Sequence, residues 1–169
     1  MAETATPFIH VLDTVGDGSG IHAIDGDYSA VAQSFSFRPT ANIYTIAIVT
    51  IHLGYSGTLV HNRYADLATA LTNGLKIRSV DSGDNVLVDL MGGLPIKENH
   101  HFAHFVTEKI VTGFAASQWD TAFIMRLYTD FTKGIQIDGT AGEYFELYAN
   151  DNFTGVADHH CIIKGAYHS

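Results

Sequence analysis

Histidine is the residue type with the greatest capacity for chemistry in this sequence. The chain has ten histidines, and His100, His101 and His104 lie together in the run HHFAH. Neutral imidazoles are common ligands of zinc and related metals. On a strand, however, His100 and His104 would lie about 13 Å apart, because each residue adds about 3.3 Å. On a helix they would be adjacent, but the run lacks the glutamate of the HExxH zinc motif.

A second histidine pair, His159-His160, could complete a metal site with this run only if the fold brought the two segments together. We therefore predict no metal-binding residues. The histidines predict a response to acid instead, because an ordinary histidine pKa is near 6.5. Protonating all ten would bring the net charge from −9 to about +1. If His100, His101 and His104 lie in a contact, we expect attachment or assembly to weaken between about pH 7 and pH 5.

Acidic and glycine-rich loops are the next candidates for ligand binding. Asp25-Gly26-Asp27 and the segment 81–84 carry carboxylates that could hold calcium, but neither has the twelve-residue ligand spacing of an EF-hand. Turn formation is the interpretation that we favour for both segments. The segment 16–20, GDGSG, is as rich in glycine as a phosphate-binding loop. It lacks the Lys-Ser/Thr pair of a P-loop and a helix to follow it.

Nucleophiles and aromatic side chains predict no catalytic site. Cys161 is the only cysteine, which excludes an internal disulfide, and it lies in a predicted strand without the surroundings that lower a thiol pKa. The sequence has no G-x-S-x-G nucleophile elbow. Tyr144 and Tyr148 could stack on sugars, although alternating tyrosines are more common as cross-strand pairs. We predict a non-enzymatic protein with no catalytic residues and no cofactor.

The stretch from Ile43 to Leu53, IYTIAIVTIHL, is the element around which the rest of the chain is organised. It contains no charge, Gly or Pro and is rich in β-branched residues, which favour strands. A strand that is apolar on both faces belongs in the middle of a sheet, where it is covered on each side or faces a neighbouring subunit. The predicted faces are Ile46 and Ile48 on one side, and Ala47, Val49, Ile51 and Leu53 on the other.

The remaining elements predict an all-β fold. Alternating segments separated by turns give eight strong strand candidates and weaker ones near the N-terminus. The segment 62–72, NRYADLATALT, has one apolar helical face, so we predict one short α-helix near residues 63–73. Asn62 can cap its start, and Asn73-Gly74 can end it. Together these elements predict a jelly-roll-like β-sandwich with one short α-helix, and they disfavour a parallel βαβ fold.

Length and composition limit the domain organisation and the partners. The 169 residues predict one domain, residues 8–169, preceded by a small, polar and flexible N-terminal arm, residues 1–7. A net charge of −9 without a basic stripe excludes non-specific binding to nucleic acid. No apolar run reaches the roughly 20 residues of a membrane helix, and the N-terminus lacks a signal sequence. We therefore expect a soluble protein that is made in the cytoplasm and has no membrane partner.

Several turn and loop motifs occur in an order that resembles a known group of proteins. The motifs are LTNGL (71–75), LPIK (94–97), IDG (137–139), GEY (142–144), NDNFTG (150–155) and KGAY (164–167). This order resembles that of small virion structural proteins of tailed bacteriophages, particularly those of marine and cyanobacterial phages. The resemblance extends over residues 28–167.

This resemblance implies a capsid decoration (cement) protein, a β-sandwich that binds the major capsid protein and stabilises the expanded shell of the virion. Together with the low charge content of 16% and the strand that is apolar on both faces, it implies a homo-oligomer, with a trimer favoured. The alternative is a carbohydrate- or receptor-binding jelly roll of a phage tail or fibre, and a connector role also stays open. A concave aromatic platform would favour the alternative, whereas a large apolar subunit interface would favour decoration.

Overall fold

The computed structural model describes residues 5–55, 67, 71–73, 75–90, 104–110, 121–128 and 134–168, and it describes the backbone alone for 53–55, 104–110, 121–128 and 157–158. A single 3-10 turn, Gly139–Ala141, lies between the eighth and ninth strands. The ten strands in these ranges are β1 (Thr6–Val11), β2 (Gln33–Phe37), β3 (Ile43–Tyr55), β4 (Leu75–Val80), β5 (Val86–Asp89), β6 (His104–Ile110), β7 (Thr121–Tyr128), β8 (Ile135–Asp138), β9 (Tyr144–Ala149) and β10 (Ala157–His168).

The strands form two antiparallel sheets. The six-stranded sheet has the order β1-β10-β3-β7-β6, with β8 also paired to β3, and the four-stranded sheet has the order β2-β9-β4-β5. Pairing is nested along the chain: β1 pairs with β10, β2 with β9, β3 with β8, and β4 with β5. A long hairpin that is folded in this way across two sheets has the topology of a jelly roll. The predicted all-β, jelly-roll-like sandwich is confirmed.

The helix predicted near residues 63–73 lies mainly outside the described residues. The last part of it, residues 71–73, is described and is not helical. There the backbone N–H groups of Thr72 and Asn73 donate to the buried carboxylate of Asp151, at 3.1 and 2.8 Å. The predicted helix is therefore wrong at all of its described positions, Leu67 and residues 71–73. At Thr72 and Asn73 the chain is instead anchored to the loop after β9.

The N-terminal boundary also differs from the prediction. β1 begins at Thr6, and Thr6 and Pro7 pair with Tyr167 and Ala166 of β10. The sheet therefore includes two residues that the sequence places in the flexible arm. Their pairing partners lie at the far end of the chain, so the local sequence does not reveal the pairing.

β3 lies in the middle of the six-stranded sheet, as predicted, between β10 on one side and β7 and β8 on the other. The predicted alternation of its faces is wrong, because two consecutive residues of β10 pair with Ile46 and Ile48, which makes Ala47 a β-bulge. The extra residue shifts the alternation by one position. Ile46 and Val49 therefore both face the core, and Ile48 faces outward.

The core lies between the two sheets and determines which side chains point outward. From the six-stranded sheet, alternate residues of β10 such as Cys161 and Ile163 are fully buried. The residues between them therefore lie on the outer face of that sheet. The largest fully buried side chains are Phe35, Phe145, Phe153, Leu12, Ile24, Ile46, Ile51, Ile77, Ile137 and Leu147.

Candidate functional site

Charged and aromatic side chains cover the outer face of the four-stranded sheet. The side chain of Glu146 on β9 is only 2% exposed. Arg78 Nε donates to Glu146 Oε1 at 2.5 Å, and Ser34 Oγ donates to Glu146 Oε2. The guanidinium carbon of Arg78 lies 4.1 Å from the centroid of the Tyr148 ring. The buried carboxylate is therefore paired and hydrogen-bonded within the sheet, which offsets the cost of its burial.

A second cluster on the same face is built around Tyr144. The guanidinium carbon of Arg38 lies 3.6 Å from the centroid of the Tyr144 ring. The Tyr144 hydroxyl donates to Asp84 Oδ1 at 2.8 Å. Burial and this hydrogen bond raise the pKa of Tyr144 to about 12, so the hydroxyl stays protonated at neutral pH.

The two tyrosines that could form a sugar platform, Tyr144 and Tyr148, are therefore both engaged within the protein. Each has a guanidinium group over its ring at cation–π distance. A sugar would have to displace Arg38 or Arg78 before it could stack on either ring. This arrangement agrees with the alternative interpretation of these residues as structural side chains of the sheet.

The described outward side chains of β1, β3 and β10 in the six-stranded sheet include a group of aliphatic residues. Ile9 is 63% exposed and Ile43 is 45% exposed. Among the described side chains of β1, β3 and β10 on this face, Lys164 is the one that carries a full charge at neutral pH. We define the apolar face as the outward side chains Ile9, Val11, Ile43, Ile48, Ile162 and Ala166.

The two outer faces of the sandwich therefore have different chemistry. On the four-stranded sheet, Arg78 and Glu146 are paired within the face, whereas on the outer face of the six-stranded sheet aliphatic side chains such as Ile9 and Ile43 are exposed. Exposed apolar side chains that are contiguous across several strands mark interaction surfaces in soluble proteins. The apolar face is consequently the strongest candidate for a functional surface in the described part of the chain.

The glycine-rich loop after β1 encloses a carboxylate of the protein itself. Asp13 is fully buried, and its side chain accepts hydrogen bonds from the backbone N–H groups of Val15, Gly16, Gly18 and Gly20 at 2.7, 2.8, 2.7 and 3.2 Å. Burial raises the pKa of Asp13, but these four donors lower it by more, so the pKa lies below its usual range. The loop therefore has the form of an anion-binding nest whose anion is Asp13, and sequence reasoning missed this role.

His10 lies beside this buried carboxylate. Its Nε2 is 3.6 Å from Asp13 Oδ2, and its ring packs against Phe37, with the ring centroids 4.8 Å apart. Burial lowers the pKa of His10, and the negative charge of Asp13 only partly counters that effect. His10 is therefore mainly neutral at pH 7, and its ring packs between β1 of one sheet and β2 of the other.

Adjacent histidines of β10 point to opposite sides of the six-stranded sheet. His159 faces inward, where its Nδ1 lies 3.0 Å from the carbonyl oxygen of Ile24 and must therefore carry the hydrogen. Burial lowers the pKa of His159 to about 3. His160 faces outward and stacks on His52 of β3, with ring centroids 4.8 Å apart and an interplanar angle of 12°.

The side chains of His100, His101 and His104, which the sequence singled out, lie outside the described residues. His100 and His101 lie outside the described residues, and for His104 the backbone alone is described, where it pairs with Tyr128. Sequence reasoning missed the pairing of His52 with His160. Nothing local could reveal it, because the two residues are brought together only by the register between β3 and β10.

The acidic loops form turns, as the favoured interpretation predicted. Asp25 accepts from the backbone N–H of Gly155 at 2.9 Å. Asp27 accepts from the backbone N–H and the hydroxyl of Ser29, at 3.0 and 2.6 Å. Asp81 accepts from the backbone N–H groups of Gly83 and Asn85, at 2.8 and 2.9 Å. These carboxylates organise the loops at the ends of the sandwich.

Three further observations apply to the part of the chain that the structure describes. Cys161 is a free, buried cysteine, and burial raises the pKa of its thiol. No group of three or more His, Cys, Asp and Glu side chains there is arranged to hold a metal ion. No described helix is long and apolar enough to span a membrane.

Comparison with protein-family models, with curated proteins and with solved structures found no match.

Proposed function

We propose that this chain is a non-enzymatic structural protein of a bacteriophage virion, a capsid decoration protein that binds the major capsid protein and other copies of itself. The observation that carries the proposal is the apolar face of the six-stranded sheet, with Ile9 63% exposed. A decoration protein needs a broad surface for neutral contacts on a shell. The order of turn motifs supports the virion as the setting, and a trimer is the favoured assembly.

The size of this surface supports a role in protein–protein contact. With strands about 4.8 Å apart and about 3.4 Å per residue, the part of the outer face that β1, β3 and β10 form measures on the order of 400 Å². A standard protein–protein interface buries about 800 Å² on each partner. The apolar face would therefore supply about half of a standard contact.

The described polar groups support a structural role over a catalytic one. The carboxylate of Asp13 is enclosed by its own loop, and that of Glu146 is paired with Arg78. Tyr144 and Tyr148 carry guanidinium groups over their rings, which supports decoration over carbohydrate binding by a tail or fibre module. In this proposal, these polar side chains stabilise the sandwich that presents the apolar face.

Quantitative mass spectrometry of purified phage particles tests the proposal. A decoration protein should be present in hundreds of copies per particle, in a fixed ratio to the major capsid protein. A few copies per particle would contradict decoration and favour a tail, fibre or connector protein. Binding of the purified chain to immobilised glycans, without binding to shells, would favour the carbohydrate-binding alternative.

A pair of matched variants tests whether the apolar face makes the contact. Ile9→Asp places a charge on the apolar face, whereas Val86→Asp places one on an edge strand of the other sheet, where Val86 is 37% exposed. Both should fold with circular dichroism spectra like that of the wild type. We expect Ile9→Asp to weaken binding to purified shells at least tenfold and Val86→Asp to leave it unchanged. Equal binding by the two variants would contradict the use of this face.

A further inference from the structure

We propose that His52 and His160 together bind a divalent transition-metal ion on the outer face of the six-stranded sheet. The two residues are direct cross-strand partners on β3 and β10. Their rings are nearly parallel, at 12°, with centroids 4.8 Å apart, and both side chains are partly exposed. Two imidazoles side by side on one face can bind one metal ion through both rings.

Binding requires both rings to rotate out of their stack. Two nitrogens bound to one tetrahedral zinc ion, each at about 2.0–2.1 Å, lie about 3.3 Å from each other. In the stack the ring planes are nearly parallel, with centroids 4.8 Å apart, so the in-plane nitrogen lone pairs do not converge until both rings have rotated. Rotation about the side-chain torsions supplies this movement without a shift of the strands. Residues four apart on one strand lack this option, because about 13 Å separates them.

The backbone around the pair holds the two residues in place. β3 is paired with β10 on one side and with β7 on the other, and His52 is opposite Ile124 of β7. β10 is in turn paired with β1. Sites on strands in the interior of a sheet keep their geometry better than sites on loops. The backbone positions of the two residues are therefore fixed, and rotation of the side chains alone has to bring both rings to one ion.

The donor type determines the class of metal. Imidazole nitrogens suit Zn²⁺, Cu²⁺ and Ni²⁺, whereas Mg²⁺ and Ca²⁺ prefer oxygen ligands. Two protein ligands leave the remaining coordination positions to water or to a partner. The proposal does not depend on the virion function.

Isothermal titration calorimetry of the full chain tests the site directly. The protein is first treated with a chelator, freed of it, and titrated with Zn²⁺ or Ni²⁺ at pH 7.5. We expect one saturable site per chain, with the sedimenting mass of the protein unchanged by the metal. One site per two chains, with the sedimenting mass doubled, also supports the site and shows that another copy completes it. His52→Gln and His160→Gln should each weaken binding at least tenfold. Mg²⁺ at a tenfold excess should not compete.

The matched control is His168→Gln, which removes an exposed histidine from the same strand. It should leave the affinity unchanged, which separates the site from non-specific binding to surface histidines. Absence of saturable binding, or equal affinity in wild type, His52→Gln and His160→Gln, would overturn the proposal. If a variant fails to fold, Ni²⁺ added to the wild-type chain still decides: paramagnetic broadening of the amide signals of His52 and His160 supports the site, and broadening confined to other histidines overturns it.

Discussion

Buried polar residues determine how this protein responds to pH at the scale of single side chains. The sequence predicts a response to acid from the number of histidines, but it does not identify which histidine is buried. His159 is buried on the inner side of β10 and bonds there to Ile24, which lies 135 residues earlier in the chain. The cluster of His100, His101 and His104 remains a prediction for a contact, because their side chains lie outside the described residues.

His159 should make the protein less stable in mild acid. Its pKa falls from 6.5 in the unfolded chain to about 3 in the folded state. The neutral ring therefore contributes its full stability above pH 6.5, and that contribution is lost as the pH falls, because the unfolded chain binds a proton that the folded chain excludes. We expect the free energy of unfolding, measured with urea, to be about 2 kcal/mol lower at pH 5 than at pH 7 from this group.

The variant His159→Asn serves as the control for this prediction. It keeps a donor for the Ile24 carbonyl but removes the titrating ring, so it should be less stable at pH 7 and depend less on pH. His10, whose pKa is also lowered by burial, should account for part of the remaining slope. An unchanged dependence on pH in His159→Asn would show that other groups carry the response.

Asp13 should contribute more to stability than any other carboxylate of its loop. Asp13→Asn replaces an acceptor of four N–H donors with an amide whose own N–H₂ faces some of them. We expect a loss of about 2 kcal/mol or more in the free energy of unfolding, because bonds to a charged group are the strong ones. Asp17→Asn, on the exposed side of the same loop, should have a much smaller effect. Similar losses in the two variants would contradict the role of Asp13 as the anion of the loop.

At the scale of elements, the sequence predicts strand positions better than strand faces. The composition of IYTIAIVTIHL correctly predicts a central strand, and β3 is paired on both sides. The faces could not be predicted, because the bulge at Ala47 arises from the register with β10 and not from a local signal. Gly165 of β10 is paired with Ile46 beside this bulge, where the backbones of β3 and β10 approach each other closely.

Gly165→Ala should destabilise the sandwich strongly. A Cβ at this position would lie 1.9 Å from the carbonyl oxygen of Thr45, which is backbone and cannot rotate away. We expect a loss of about 3 kcal/mol or more, since the strands have to separate locally. Gly83→Ala in the turn before β5 is the control, because the nearest atoms to its added Cβ belong to the flexible side chains of Asn85 and Asp81. Thermal unfolding followed by circular dichroism measures both, and equal midpoints would contradict the close approach.

At the scale of the whole molecule, the regular spacing of strands and turns predicts an all-β sandwich. The nested pairing of the jelly roll is long-range, as between β1 and β10, and no local signal specifies it. The difference between the two outer faces could not be predicted. Tyr144 and Glu146 on one face and Ile48 and Ile162 on the other all lie in alternating segments. The structure shows that Tyr144 and Glu146 have hydrogen-bond partners within the protein. Ile48 and Ile162 are instead partly exposed to water.

This difference predicts self-association through the apolar face, and the resemblance to decoration proteins implies a trimer. Sedimentation velocity over a broad concentration range should show the wild-type chain as a homo-oligomer at pH 7.5. Ile9→Asp should shift it toward monomer, because association would bury a charge among aliphatic side chains without a partner. Val86→Asp, on the other sheet, should sediment like the wild type. A wild-type chain that stays monomeric at every concentration without capsid would contradict self-association, and the shell-binding comparison of the same two variants would then show whether the face contacts the capsid alone.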